Sequence, residues 1–91
     1  MALQRQGRME EYSVYILFSK LLNKYYVGQT NNFEERLQHH NKGSNKYTSK
    51  GVPWIFIHKI AVTNRKTALL LENKIKKRGI KRFLVDINFG M

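Results

Sequence analysis

Two runs rich in aromatic and β-branched residues stand so close together in this chain that they can pair in only one way. Tyr12-Ser13-Val14-Tyr15-Ile16-Leu17-Phe18 has the composition of a strand. A polar turn around Asn23, spanning Ser19 to Lys24, separates it from Tyr25-Tyr26-Val27-Gly28, a second short strand. A parallel crossover needs about a dozen residues or more, so the two runs must form an antiparallel hairpin. Everything else in the 91-residue chain has to be built onto that hairpin, because a chain this short supports a single core.

The remaining elements follow from caps and periodicity. Asn32 is placed to cap a helix, Glu34 and Glu35 stand in its first turn where the helix dipole favours acids, and Glu35 completes an N-cap pairing. The helix is predicted from Phe33 to Lys42, stopped by Gly43. Residues 43–53, GSNKYTSKGVP, form a loop that ends in the chain's one proline. Trp54 to Ile60 reads as a third strand; Trp54, Phe56 and Phe18 are assigned to the core. Asn64 caps a second helix that runs to Arg78, with Gly79 as its stop. Ile80, Phe83, Leu84 and Ile87 repeat at i, i+3, i+4, i+7 and predict a final short helix, against a competing strand over Phe83 to Phe89. The predicted order is β-β-α-β-α-α: an α/β chain of the α+β kind, with a small three-stranded antiparallel sheet flanked by helices. Residues 1–10 are read as a polar N-terminal extension and 11–91 as one domain.

Charge narrows the partner. Seventeen Lys and Arg against six Asp and Glu give a net charge of +11. Such an excess repels itself and points to a polyanion, foremost nucleic acid. The basic residues spread from Lys20 to Arg82, so any patch is assembled by folding rather than carried on a tail. Cysteine is absent, which excludes disulfides and thiolate metal sites and favours a cytoplasmic protein. No apolar run approaches the roughly 20 residues of a membrane span, so no membrane partner is expected.

Two helices carry polar residues on the wrong face. Phe33 and Leu37 define the apolar stripe of the first helix, and Arg36 and His40 complete the same set, within about 60° of Phe33. On the second helix Ala68, Leu71 and Ile75 define the stripe, and Glu72 lies on it. A charge turned toward a core is costly unless it is paired, hydrogen-bonded or metal-bound. A rim salt bridge between Arg36 and Glu72 is the bland explanation; a shared functional site, together with Tyr15 and Tyr26, is the sharper one.

These residues resemble the GIY-YIG nuclease family. Ser13-Val14-Tyr15 stands where that family has its first motif, and Tyr26-Val27-Gly28 where it has the second. Glu35-Arg36-Leu37-Gln38-His39-His40-Asn41 is similar to the helical segment that follows, and Glu72 matches the family's metal-binding glutamate. The likeness spans roughly residues 12–88. It is greatest to small stand-alone bacterial members, which share a loop like Lys46-Tyr47-Thr48, and extends to the N-terminal domain of excision-repair incision nucleases. Ser13 replaces the first motif's glycine, Val27 the second motif's isoleucine, and Gln29 stands where some members carry a basic residue.

The resemblance implies a divalent-metal-dependent endonuclease that hydrolyses DNA phosphodiester bonds, with DNA repair as a setting and branched or damaged DNA as candidate substrates. Glu72 would hold one Mg²⁺ or Mn²⁺, and Arg36 would clamp phosphate. Tyr15 by preference would orient or deprotonate the water, Tyr26 would contact water or phosphate, and His40 would take the proton. Asn88 is the candidate for the family's late asparagine by location. Lys42, Lys46, Tyr47 and Lys50 are candidate DNA-backbone contacts. His39 and His58 are read as structural. A binding module without catalysis accounts for the charge equally well, a small RNA-binding protein is a further alternative, and the oligomeric state, monomer or homodimer, stays open.

Overall fold

Strand β1 (Tyr12–Ser19) lies in the middle of the sheet, and its composition says why. Val14, Tyr15, Ile16 and Leu17 are all buried, a continuous run instead of an alternation, as expected for a strand covered on both faces. A computed structural model of the chain describes residues 11–43 and 48–89. Strand β2 (Lys24–Thr30) and strand β3 (Trp54–Val62) flank β1 in the order β2-β1-β3, both antiparallel to it. The β1–β2 turn is closed by Asn23 in the left-handed region, at φ 55°, and by the Leu22 N–H donating to Ser19 Oγ at 3.1 Å.

Helix α1 (Phe33–Asn41) covers one face of the sheet, where Tyr15, Leu17 and Trp54 pack with Tyr26, Phe33 and Leu37. Helices α2 (Arg65–Arg78) and α3 (Ile80–Asp86) cover the other, where Val14, Ile16 and Val27 meet Ala68, Ile75 and Leu84. The caps are those the sequence predicts: Asn32 accepts from the Glu35 N–H at 3.2 Å and Asn64 from the Thr67 N–H at 2.9 Å. Gly79, at φ 97°, ends α2 and starts α3 in a conformation that a side chain would strain. Residues 80–86 are helical, which removes the competing strand.

Two residues assigned to the core are not in it. Phe18 is only partly buried, its ring 4.8 Å from that of Tyr25. Phe56 is 45% exposed, its ring edge-to-face with Phe33 on the helix side. The cause is coverage: β3 is an edge strand, and a nine-residue α1 spans about 13 Å, too short to roof it. A β-bulge accommodates this strand, Ile16 pairing with His58 and Leu17 with Phe56, so that Ile57 is the extra residue. The N-terminal extension 1–10 and the loop candidates Lys46 and Tyr47 lie outside the described residues.

Candidate active site

Cross-strand register brings the two motif segments together. Tyr15 pairs with Gly28, and side chains opposite one another on antiparallel strands share a face. Gly28 has no side chain, so the hydroxyl end of the Tyr15 ring comes close to the β2 backbone; a Cβ there would sit 2.6 Å from the phenol oxygen and 2.8 Å from the ring carbon bearing it. Two residues earlier, Tyr26 projects onto the same face, its ring 6.3 Å from that of Tyr15. The hairpin alone therefore places two phenols side by side.

Helix α1 supplies the third group. His40 is fully buried, as the stripe position predicts, with its ring edge-on to Tyr15 and Tyr26 at 5.9 and 5.0 Å. Its Nε2 lies 3.1 Å from the Tyr15 hydroxyl and its Nδ1 2.9 Å from Thr48 Oγ1. Burial, helped by the positive charge of Arg36 and by His39, pushes its pKa below the usual histidine range, so the ring is held neutral. A neutral imidazole has one donor and one acceptor nitrogen. In the tautomer protonated on Nδ1, His40 donates to Thr48 and accepts from the Tyr15 hydroxyl.

Thr48 is the residue that sequence reasoning missed as part of this set. It is buried, and its carbonyl accepts from the Trp54 indole N–H at 2.8 Å, which fixes the hydroxyl that His40 needs. The available signal was physical: a histidine on a helix's buried face requires partners at both nitrogens, and the nearby loop carries hydroxyls.

Tyr15 and Tyr26 respond to the same charges. Burial raises the Tyr15 pKa well above its usual value, the neighbouring Tyr26 adds to this, and Arg36, within hydrogen-bonding reach, opposes it. Burial also raises Tyr26, then Glu72, against Arg36 and Lys76; Tyr15 is within hydrogen-bonding reach of its hydroxyl. Helix α2 packs on the opposite face of the sheet, in contact with the edge strand β2, yet the Glu72 carboxylate acts electrostatically on both phenols. A hollow of about 420 Å³ at that edge is lined by Tyr26 and Lys76 together with Tyr25, Val27 and Ile80. Glu72 is mostly buried and pairs with Lys76 at 2.9 Å, one turn along α2, rather than with Arg36 as the bland explanation had it.

Tyr15, Tyr26, Arg36, His40 and Glu72 thus form one electrostatic unit in which Tyr15 is sealed and Tyr26 half-buried. Asn88 does not join it. It is exposed beyond α3 at φ 59°, its N–H donating to the Val85 carbonyl. Lys42 caps the end of α1 and Lys50 lies in a short 3₁₀ turn, both exposed on either side of the loop. His39 is exposed, and His58 packs against Phe89.

A family model described as the GIY-YIG catalytic domain matches residues 11–82, most of the chain and every residue of this unit. The chain belongs to the GIY-YIG family. Its domain is accordingly of nuclease type, its substrate class is nucleic acid, and the family generally uses divalent metal ions. The fold is similar to the solution NMR structure of the UPF0213 protein BH0048 from Bacillus halodurans, at 28% identity and a TM-score of 0.55 over 88% of this chain and 87% of that one. Comparison with curated proteins gives no match. No helix among the described residues is long and apolar enough to cross a membrane.

The donor set limits the kind of divalent ion it could hold. Among the described residues no three His, Cys, Asp or Glu gather into a cage. What the GIY-YIG unit offers is one hard carboxylate, Glu72, with Lys76 on its Oε2, which suits an ion that keeps most of its waters and takes one or two carboxylates, as Mg²⁺ does.

Proposed function

We propose that this protein is a divalent-metal-dependent endonuclease that hydrolyses DNA phosphodiester bonds. The observation that carries the proposal is the line of hydrogen-bonding groups running inward from the β2 edge: Tyr26, then Tyr15, then neutral His40. Such a line moves a proton away from the surface without exposing a charge.

The raised pKa values argue against a resting phenolate at neutral pH, so neither tyrosine is a stored base. Each phenol instead works as a relay. As water attacks phosphorus, Tyr26 accepts its proton and passes its own to Tyr15, which passes its own to His40 Nε2. Tyr26 is the phenol at the water because it is the one with exposed surface; Tyr15 has none. Thr48 holds the imidazole in the accepting tautomer. Arg36 grips the non-bridging phosphate oxygens with its planar fork and keeps an imidazolium beside it short-lived, returning the site to its neutral state. Glu72 would hold Mg²⁺ or Mn²⁺, which when bound supplies Lewis-acid stabilisation of the leaving oxygen. Nucleotide context, strand structure and a role in DNA repair would be set by contacts such as those of Lys42 and Lys50.

One observation favours a binding module without catalysis: the Lys76 ammonium sits on the carboxylate that the ion needs. The two functions separate on incubating supercoiled, branched and single-stranded DNA with Mg²⁺, Mn²⁺ or EDTA. The enzyme requires metal-dependent cutting that falls by at least ~100-fold in Tyr26→Phe and in Glu72→Gln, with the far-ultraviolet circular dichroism unchanged. Cutting by both variants at the wild-type rate would end this site assignment, and binding without cutting in any metal would establish the module.

A further inference from the structure

Arg36 faces two ways. On one side it reaches the Tyr15 hydroxyl; on the other it lines a second hollow, of about 180 Å³, with Tyr12, Gln29, Thr30, Asn31 and Arg65. That hollow lies at the opposite end of the hairpin from its turn and belongs to none of the roles assigned so far.

Its chemistry is one-sided. Two arginines line it from different helices, Arg36 from α1 and Arg65 from the first position of α2, and no carboxylate lines it. Like charges converging on one small space repel, a cost that an anion between them turns into attraction. The α1 N-terminus is not the attraction, because the Asn32 side chain and the Thr30 hydroxyl already cap it. The independent mark is Gln29, another residue of the lining: its Oε1 is buried and has no hydrogen-bond partner. A buried unpaired amide oxygen is uncommon and calls for an explanation. Rotation of the amide exchanges that oxygen for the Nε2 donor, which an anion would accept.

We propose that this hollow is a second phosphate subsite, which takes the DNA backbone phosphate next to the scissile one, with Arg65 as its principal cation and the Gln29 amide as a neutral donor. The assignment of the phosphate to a neighbouring nucleotide rests on the nuclease function; the anion site itself does not. Arg36 lies between the two positions and couples them, so that a strand seated in the hollow is drawn across Tyr26. Arg65 is a positioning residue: it acts on where the strand lies and not on the reacting atoms.

The test is binding of a short DNA duplex in EDTA, where no strand is cut, over a range of salt concentrations. Each phosphate neutralised contributes about 0.9 to the logarithmic salt slope, equivalent to roughly eightfold in affinity at about 0.1 M salt. Arg65→Gln should flatten the slope by that amount and weaken binding by that factor, while Lys20→Gln, at the hairpin turn, leaves the slope within half that amount of wild type. In parallel, the Gln29 side-chain amide resonances should move on titration with inorganic phosphate in the wild type and stay still in Arg65→Gln. A wild-type slope for Arg65→Gln, or an equal flattening by Lys20→Gln, overturns the subsite. Phosphate-induced shifts without any change of duplex slope assign the hollow to a free anion and overturn its DNA role. Because binding is read without metal, a chain that never cuts DNA but shows the Arg65 effect refutes the nuclease function and keeps the subsite.

Discussion

Gly28→Ala tests whether the phenol pair is held by steric contact with the β2 backbone. The added Cβ would lie 2.6 Å from the Tyr15 oxygen, about 0.8 Å inside ordinary contact, and 2.8 Å from the adjoining ring carbon. The ring has nowhere to retreat, since Phe33 stands 5.5 Å away edge-on, Tyr26 lies beside it and His40 holds its hydroxyl. Overpacking of this kind costs about 1–3 kcal/mol, and disturbing a buried hydrogen bond adds about 1 kcal/mol. The entropy that alanine removes from the unfolded chain returns about 0.4–1 kcal/mol. The net expectation is a loss of about 2–3 kcal/mol, which in a domain of this size lowers Tm by on the order of 10–20 °C. Urea unfolding followed by Trp54 fluorescence measures it. In a Tyr15→Phe background the closest contact disappears while the ring-carbon contact stays, so the cost of Gly28→Ala should fall but not vanish. A change below about 0.5 kcal/mol in the wild-type background would refute the contact argument.

Three other expectations follow from the same geometry. His40 has a folded pKa below its unfolded value near 6.5, so the unfolded state binds more protons and stability must fall as pH drops below about 6.5; the urea midpoint should decline toward pH 5, and His40→Gln should remove that part of the decline. Asn41 holds the start of β3 through both polar groups of its amide, accepting from the Trp54 N–H at 2.6 Å and donating to the Trp54 carbonyl, so Asn41→Ala should cost about 2 kcal/mol by urea unfolding and shift the Trp54 emission. Lys76→Met removes the ammonium from Glu72; metal titration monitored by the Glu72 carboxylate resonance should show tighter Mn²⁺ or Mg²⁺ binding, and unchanged or weaker binding would show that Lys76 does not compete for the carboxylate.

Much of this architecture was visible in the amino acids because the decisive interactions are local. Asn32, Asn64 and Gly79 mark helix ends through bonds to residues a few positions away, and the short Asn23 turn dictates an antiparallel hairpin. Period 3.6 placed His40 on the buried face of α1 and Glu72 on the apolar stripe of α2, where they are fully and mostly buried. What stayed hidden is set by distance along the chain. The fit of Tyr15 on Gly28 depends on register, which composition does not specify, and Thr48 meets His40 through a loop without periodicity. Phe56 has the composition of a core residue and lies in the open because α1 is short, a fact about its neighbour's length rather than its own chemistry. Nothing in the sequence singles out Arg65; only the fold brings it to the same hollow as Arg36.

The bulge at Ile57 gives β3 a particular kind of rigidity. On one side of it Trp54 and Phe56 share the α1 side with Leu17; beyond it Lys59 faces that side and Ile60 and Val62 turn to the α2 layer. Side-chain direction in a strand counts residues in twos, so the extra one acts as a phase shift between two halves of a single strand. Swapping one branched apolar residue for another at positions 55–62 leaves that phase intact. A deletion elsewhere in β3 would turn the stretch between it and the bulge inside out, whereas removal of Ile57 itself would restore one-to-one pairing with β1 and leave both halves on their faces. In β3, Ile57 is therefore the residue whose loss the sheet absorbs most easily.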